Sequence, residues 1–204
     1  KGYNLPLGTP QSKGRAMINL FPLSENEKIS TVLVLDKKDE SLKDSDLIFV
    51  TSLGNVRRNK ISDFERIQSN GKRAMKLDDG EMLVGVKLAK DVDDILLSTY
   101  KGMANRFSVN CIRVFAGRDS NGVRGIKLSE GDFVINMSIL SSQDISPDER
   151  DAYYRLSMKM RNSTDEDFID DGEVENVVDI SEDRFKELSE HEQFILTITE
   201  NGFG

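Results

Sequence analysis

The sequence predicts an all-β body of repeated, propeller-like blades, interrupted by an acidic, partly helical insertion. Three observations predict it. A β-hairpin signature recurs with Gly54 of one copy standing on Gly102 of the next, a Gly–Arg loop followed by an acidic turn recurs beside it, and the charge distribution breaks sharply at Ser141 and Gln193.

The hairpins come first. The run Leu47-Ile48-Phe49-Val50-Thr51-Ser52-Leu53-Gly54-Asn55-Val56-Arg57-Arg58 matches Ile95-Leu96-Leu97-Ser98-Thr99-Tyr100-Lys101-Gly102-Met103-Ala104-Asn105-Arg106. Each copy is an apolar stretch rich in strand formers, a short turn with Gly at the position that needs positive φ, and a return run ending in basic residues. A third copy opens at Phe194-Ile195-Leu196-Thr197-Ile198-Thr199-Glu200-Asn201-Gly202. The step from Gly102 to Gly202 accommodates one repeat plus the insertion.

The loops repeat as clearly. Asn70-Gly71-Lys72-Arg73-Ala74-Met75-Lys76-Leu77-Asp78-Asp79-Gly80-Glu81 matches Asn121-Gly122-Val123-Arg124-Gly125-Ile126-Lys127-Leu128-Ser129-Glu130-Gly131-Asp132. A looser copy begins at Lys13-Gly14-Arg15-Ala16-Met17. Strands are expected after each, near Ile29 to Leu35, Met82 to Leu88 and Phe133 to Leu140. Repeats of about 40–50 residues with about four short strands fit radial blades better than a helical solenoid. At this spacing the body holds about three blade-equivalents, an incomplete disc.

The insertion is defined by charge. Residues Ser141 to Gln193 carry 17 acidic and 6 basic residues, a net charge of −11, against −8 for the whole chain. The other 151 residues are mildly basic, at +3. Ser146-Pro147-Asp148-Glu149 reads as a helix start, with Ser as N-cap, and Tyr153, Leu156 and Met160 follow at helical spacing. Ser181 caps a second short helix carrying Phe185 and Leu188 on one face. The run Asn162 to Val174 between them lacks periodicity and reads as a mobile loop. The expected organisation is therefore blades over 1–140, insertion over 141–193, and the start of a further blade over 194–204. The insertion reads as a solvated spacer or as a regulatory element competing with an anionic ligand for the basic body.

Composition excludes most catalytic chemistries. One cysteine, Cys111, and one histidine, His191, leave no disulfide framework, no thiolate zinc site and no histidine-based triad. Cys111 is expected in the core and His191 on the surface. Asp91, Asp93 and Asp94 read as a turn before a strand rather than as a metal cluster, and no Gly-x-x-x-x-Gly-Lys-Ser/Thr loop is present. No apolar run approaches membrane-spanning length. The chain opens at Lys1 without an initiator Met and reads as a piece of a longer protein.

These motifs together resemble the C-terminal domain of the DNA gyrase A subunit. The blade pattern of that family, a hairpin with Gly, a basic strand, a Gly–Arg loop and Leu-x-x-Gly-Asp/Glu, stands here as Thr51 to Arg58 and Gly122 to Asp132, and Ala16 to Leu23 resembles its second-blade segment. The resemblance implies a β-pinwheel whose blades exchange strands and whose rim wraps double-stranded DNA. It further implies a bacterial cytoplasmic, nucleoid-associated enzyme in which gyrase A and gyrase B form an A2B2 complex that supercoils DNA negatively. ATP and magnesium would belong to that holoenzyme, with no cofactor and no catalytic residue in this piece. Acidic insertions between blades also occur in the family. The Gln-Arg-Arg-Gly-Gly-Lys-Gly-type box that marks gyrase is absent, Gln11-Ser12-Lys13-Gly14-Arg15 being the nearest relic, which leaves the topoisomerase IV paralogue open.

Wrapping DNA requires recurring cations, because a duplex carries about one charge per 1.7 Å of axis. The candidate phosphate contacts are Lys13 and Arg15; Arg57, Arg58 and Lys60; Lys72, Arg73 and Lys76; Arg106; and Arg118, Arg124 and Lys127. Arg58 matches Arg106, Arg73 matches Arg124 and Lys76 matches Lys127, and the neighbouring glycines would bare the backbone toward phosphate. A repeat module that binds proteins through its rim is the alternative from another functional class.

Overall fold

A computed structural model describes residues 5–20, 23–24, 27–36, 38–65, 71–117, 119–162 and 180–202. The expected loop from Asn162 to Val174 lies, from residue 163 on, outside the described residues, as does Arg118. The chain divides into two compact units, Lys1–Leu140 and Ser141–Gly204.

The first unit holds two antiparallel sheets. In the first, β1 (Ser45–Thr51) and β2 (Asn55–Lys60) form the hairpin, with Phe49 opposite Arg57 and Val50 opposite Val56. β3 (Leu83–Lys90) pairs with the other side of β1. In the second, β4 (Asp93–Thr99) and β5 (Ala104–Ser108) repeat the hairpin, and β7 (Val134–Ser141) flanks β4 as β3 flanks β1. The short β6 (Val123–Arg124) comes from the second repeat but closes the first sheet, placing Val123 opposite Val56 and Arg124 opposite Asn55. Successive repeats therefore exchange a strand. The order is β3-β1-β2-β6 in one sheet and β5-β4-β7 in the other.

Glycine makes the turns and the exchange possible. Gly54, Gly102 and Gly202 adopt φ of 79°, 81° and 82°, and each N–H closes onto the carbonyl of the Thr three residues earlier, Thr51, Thr99 and Thr199, at 2.9–3.0 Å. The recurring Thr–x–x–Gly of all three copies is thus one turn made three times. Gly125 has a different task. A Cβ there would meet Val56 at 2.4 Å and Leu97 at 2.8 Å, so only a bare backbone fits where the chain leaves β6 and passes between the hairpins.

Alternation along β1 distributes its side chains to both faces. Ile48 and Val50 join Val56, Ile95, Leu97, Val109, Ile112 and Met137 in the main core, which spans both repeats. Leu47 and Phe49 turn the other way, onto Met75, Ile61, Phe64 and Leu88. Burying such side chains contributes about 1.5–3 kcal/mol each, so a strand flanked on both sides and covered on both faces anchors the unit.

Two expected strands do not form. Residues 29–35 carry no ladder, and Val32 and Val34 are exposed; the contact found there is Ser30 Oγ donating to the Leu83 carbonyl at 2.7 Å. Residues 194–198 are likewise irregular and exposed, although the Thr199–Gly202 turn that follows them is formed. An apolar run becomes a strand only where a neighbour supplies its backbone partners.

The second unit holds two helices, α1 (Pro147–Asn162) and α2 (Glu182–Glu190). Ser146 Oγ accepts from Glu149 N–H at 3.2 Å and Ser181 Oγ from Arg184 N–H at 3.3 Å, the two N-caps. Tyr153 packs on Phe185 at 5.0 Å between ring centroids, and Leu188 is buried. Met160 is exposed; Ser157, four residues after Tyr153, takes the inner position instead. Arg184 ties the unit together, donating to Glu149 at 2.7 Å, Glu187 at 2.9 Å and the Asp144 carbonyl at 2.8 Å. Its hydrogen bond holds the Glu149 carboxyl below the usual carboxylate range against the opposing effect of burial. Ser141 N–H donates to Gln193 Oε1 at 2.9 Å, so the two ends of the acidic segment meet.

Candidate nucleic-acid interface

The structure sorts the candidate cations by the direction their strands and loops give them. Arg57 and Arg58 point inward, and their reading as phosphate contacts is corrected. Arg57 has no solvent exposure; Nε donates to Asn59 Oδ1 at 2.7 Å, Nη1 reaches the Ser120 carbonyl and hydroxyl, and the guanidinium lies 4.9 Å from the Phe115 ring. Arg58 is paired with Asp46 at 2.7 Å and with Asp91. The physical reason is that β2 lies between β1 and β6, with the Val114–Phe115 segment laid along its end, where Phe115 N–H donates to the Arg58 carbonyl at 2.8 Å. These covers leave Arg57 and Arg58 buried.

The remaining described candidates are exposed. Lys60 reaches Asp46 at 3.0 Å but keeps just over half of its side chain in solvent. Arg106 does the same with Asp94 at 2.7 Å. Lys72 and Arg73 line an open hollow of about 330 Å³ together with Ala116, Gly117 and Asp119, so loops of two successive repeats meet there. Lys76 N–H donates to the Ser120 carbonyl at 3.4 Å in the same seam. Arg124 borders a smaller hollow of about 230 Å³ with Asn105, Phe107, Ile112 and Cys111. Lys127, Lys13 and Arg15 are exposed on irregular backbone. The matched pairs Arg73 with Arg124 and Lys76 with Lys127 are therefore solvent-facing in both repeats.

The acid of each Leu-x-x-Gly-Asp/Glu motif is structural. Glu81 accepts from the Thr51 hydroxyl, from Asn55 Nδ2 at 2.8 Å and from Asp78 N–H at 2.9 Å. Asp132, its match, accepts from Lys101 N–H at 3.0 Å and Phe133 N–H at 2.9 Å. Burial pushes the Asp132 pKa up, but hydrogen bonds from Lys101, Thr99 and Phe133 and the Lys101 charge outweigh it and leave the group below its ordinary value. Each acid thus fastens a loop to the hairpin turn before it. Asp91, Asp93 and Asp94 are likewise engaged, with Arg58, Lys90 N–H and Arg106 in turn.

Two further expectations are corrected. Cys111 is exposed, because the 3-10 turn Val109–Cys111 points Val109 inward and leaves the cysteine outside. Gly122 and Gly125 face Val56 rather than solvent, so their bare backbones serve the strand exchange. Arg113, which recurrence did not single out, is exposed and stacked 4.3 Å from the Phe115 ring. Its counterpart one repeat earlier is Glu65, so no periodic signal marks it. Among the described residues no group of three His, Cys, Asp or Glu could hold a metal ion, and no described helix is long and apolar enough to cross a membrane.

Comparison with known proteins decides the family. The model of the DNA gyrase C-terminal domain, a β-propeller, matches residues 1–36, 45–90 and 93–141. The chain belongs to the DNA gyrase C-terminal domain family. Over its whole length it is 42% identical to the DNA gyrase A subunits of Rickettsia bellii and Granulibacter bethesdensis, covering 22% and 23% of those proteins. The chain therefore spans under a quarter of the gyrase A subunits it matches. The gyrase A protein of Escherichia coli is 35% identical over 139 residues, 68% of this chain and 15% of that protein. A solved DNA gyrase A C-terminal domain matches with a TM-score of 0.54 at 25% identity, over 64% of this chain and 42% of the solved one. A solved DNA topoisomerase IV C-terminal domain matches with a TM-score of 0.56 at 22% identity, over 64% of this chain and 40% of the solved one. The latter is a likeness of fold alone. The family match ends at residue 141, where the second compact unit begins.

Proposed function

We propose that this chain is the DNA-wrapping module of a gyrase A subunit, binding double-stranded DNA through its backbone phosphates without reading base sequence. The observation that carries the reading is the paired exposure of Arg73 with Arg124 and of Lys76 with Lys127 in successive repeats of a gyrase C-terminal fold. Cations repeated along a surface suit a repeating polyanion, whereas one deep site would suit a small anion. The described α-helices lie in the acidic unit, so among the described residues no basic helix is offered to a major groove.

Bending a duplex of about 20–30 bp by 40–90° costs on the order of 1–6 kcal/mol, and distributed phosphate contacts offset it. Wrapping in one hand would present a second duplex to the cleavage machinery and support ATP-dependent negative supercoiling by the holoenzyme. In that assembly the chain would act beside the gyrase A N-terminal part and gyrase B in an A2B2 complex, in the bacterial cytoplasm at the nucleoid. ATP and magnesium are assigned to the other parts of the holoenzyme. The gyrase reading is preferred to topoisomerase IV because relatives matched along the whole chain are gyrase A subunits at 42% identity.

The test is topological. The chain is bound to nicked circular DNA, the nick is ligated, and the linking number is measured after deproteinisation. A shift in one direction that grows with protein concentration is expected. Binding with no change in linking number would contradict wrapping.

A further inference from the structure

We propose that Arg113, stacked on Phe115, is a preorganised seat for a DNA-backbone phosphate at the seam between the two repeats. The proposal rests on the DNA-binding reading above and adds to it a contact that recurrence in the sequence does not reveal.

Phe115 is a fixed platform. It is 6% exposed, its N–H is bonded to the Arg58 carbonyl at 2.8 Å, and the buried Arg57 lies 4.9 Å from its ring. Arg57 is itself locked on Asn59 and Ser120. Arg113 rests on the same ring at 4.3 Å and is exposed. An exposed arginine ordinarily loses rotamer freedom when it grips an anion; one already held on an aromatic face loses less. Its planar fork then suits two phosphate oxygens at once.

The chain that carries Arg113 continues into Ala116, Gly117 and Asp119, which line the hollow shared with Lys72 and Arg73. A Cβ on Gly117 would meet nothing within 4 Å, so the hollow is open there. Two cations, Lys72 and Arg73, therefore border a concave surface wide enough for a phosphate, and Arg113 stands on the segment that leads into it. Asp119 lines the same hollow, and its carboxylate repels an anion that enters there.

The experiment is a salt titration of binding to a labelled duplex of a few tens of base pairs, using the whole chain and the surface variants Arg113→Gln, Arg113→Lys and Asp119→Asn. Thermal unfolding is recorded for each. Arg113→Gln is expected to weaken binding about fivefold at low salt, as for one hydrogen-bonded contact of ordinary strength, and to lower the salt slope by about 0.9, one phosphate. Arg113→Lys should restore the slope but only part of the affinity, because the charge returns without the fork. Asp119→Asn should tighten binding. If the parent chain binds and Arg113→Gln matches it in affinity and slope, the seat is wrong while the DNA reading stands. If Asp119→Asn leaves affinity unchanged, the phosphate does not occupy the hollow. A parent chain that binds no duplex overturns the DNA reading itself.

Discussion

Arg58 donates from Nε to Oδ2 of Asp46 at 2.7 Å inside the first sheet, and one repeat later Arg106 does the same to Asp94 at the same distance. The two pairs are chemically identical and sit in different surroundings. Arg58 and Asp46 are 5% and 2% exposed, whereas Arg106 is 54% exposed. The difference comes from the strand exchange: β6 and the Val114–Phe115 segment cover β2, while β5 is an edge strand among the described residues. The repeat therefore uses one arginine as an internal clamp and offers its copy to solvent.

Truncation should separate the two roles. Arg58→Ala leaves Asp46 buried without its main partner and is expected to destabilise the chain by about 3–5 kcal/mol. Arg106→Ala should cost no more than about 1 kcal/mol, as for an exposed pair. Denaturant unfolding of both variants checks this; equal losses would mean that burial does not distinguish the pairs.

The hairpin glycines make a second contrast. Gly54→Ala and Gly102→Ala both force a side chain into left-handed backbone, at about 1–2 kcal/mol each. At Gly54 the new Cβ would also meet Ile126 at 2.9 Å, whereas at Gly102 it meets nothing within 4 Å. Gly54→Ala should therefore lower the unfolding temperature more. An equal drop would place the cost in the backbone alone.

Acid should loosen the loop that Asp132 fastens. Its folded pKa lies below the ordinary aspartate value of about 3.9, so its contribution is complete above that value and disappears as pH falls through the lower, folded one. Asp132→Asn is expected to flatten this acid limb of the stability curve. An unchanged acid limb, measured by denaturant midpoints against pH, would show that the carboxylate's hydrogen bonds are neutral to folding.

The acidic segment gives a fourth expectation. Because Ser141 N–H and Gln193 Oε1 meet at 2.9 Å, residues between them can be replaced by a short Gly–Ser linker. Removing a segment with a net charge of −11 from a body of +3 should tighten DNA binding at low salt. Unchanged affinity would make the insertion a spacer.

The legible part of this molecule was its period. Matching Gly54 to Gly102 located both hairpins and their Thr–x–x–Gly turns, and matching Asn70 to Asn121 located the loop cations, because turn chemistry repeats wherever backbone geometry does. What a period does not carry is which way a recurring side chain faces. Arg57 and Arg58 read as basic surface because the covering strand comes from residues 123–124, far along the chain. The run 29–35 read as a strand because composition records apolarity but not a partner. Arg113 was missed since Glu65 breaks its recurrence, and only the stack on Phe115 reveals it.

The central claim is that the body grips DNA through repeated phosphate contacts, and the salt dependence of binding tests it most directly. For the whole chain on a duplex of a few tens of base pairs, the logarithm of the association constant should fall linearly with the logarithm of salt concentration. The slope should be about 0.9 per phosphate neutralised and should exceed that of a single contact several-fold. A flat salt dependence, or no detectable binding at low salt, would contradict the account.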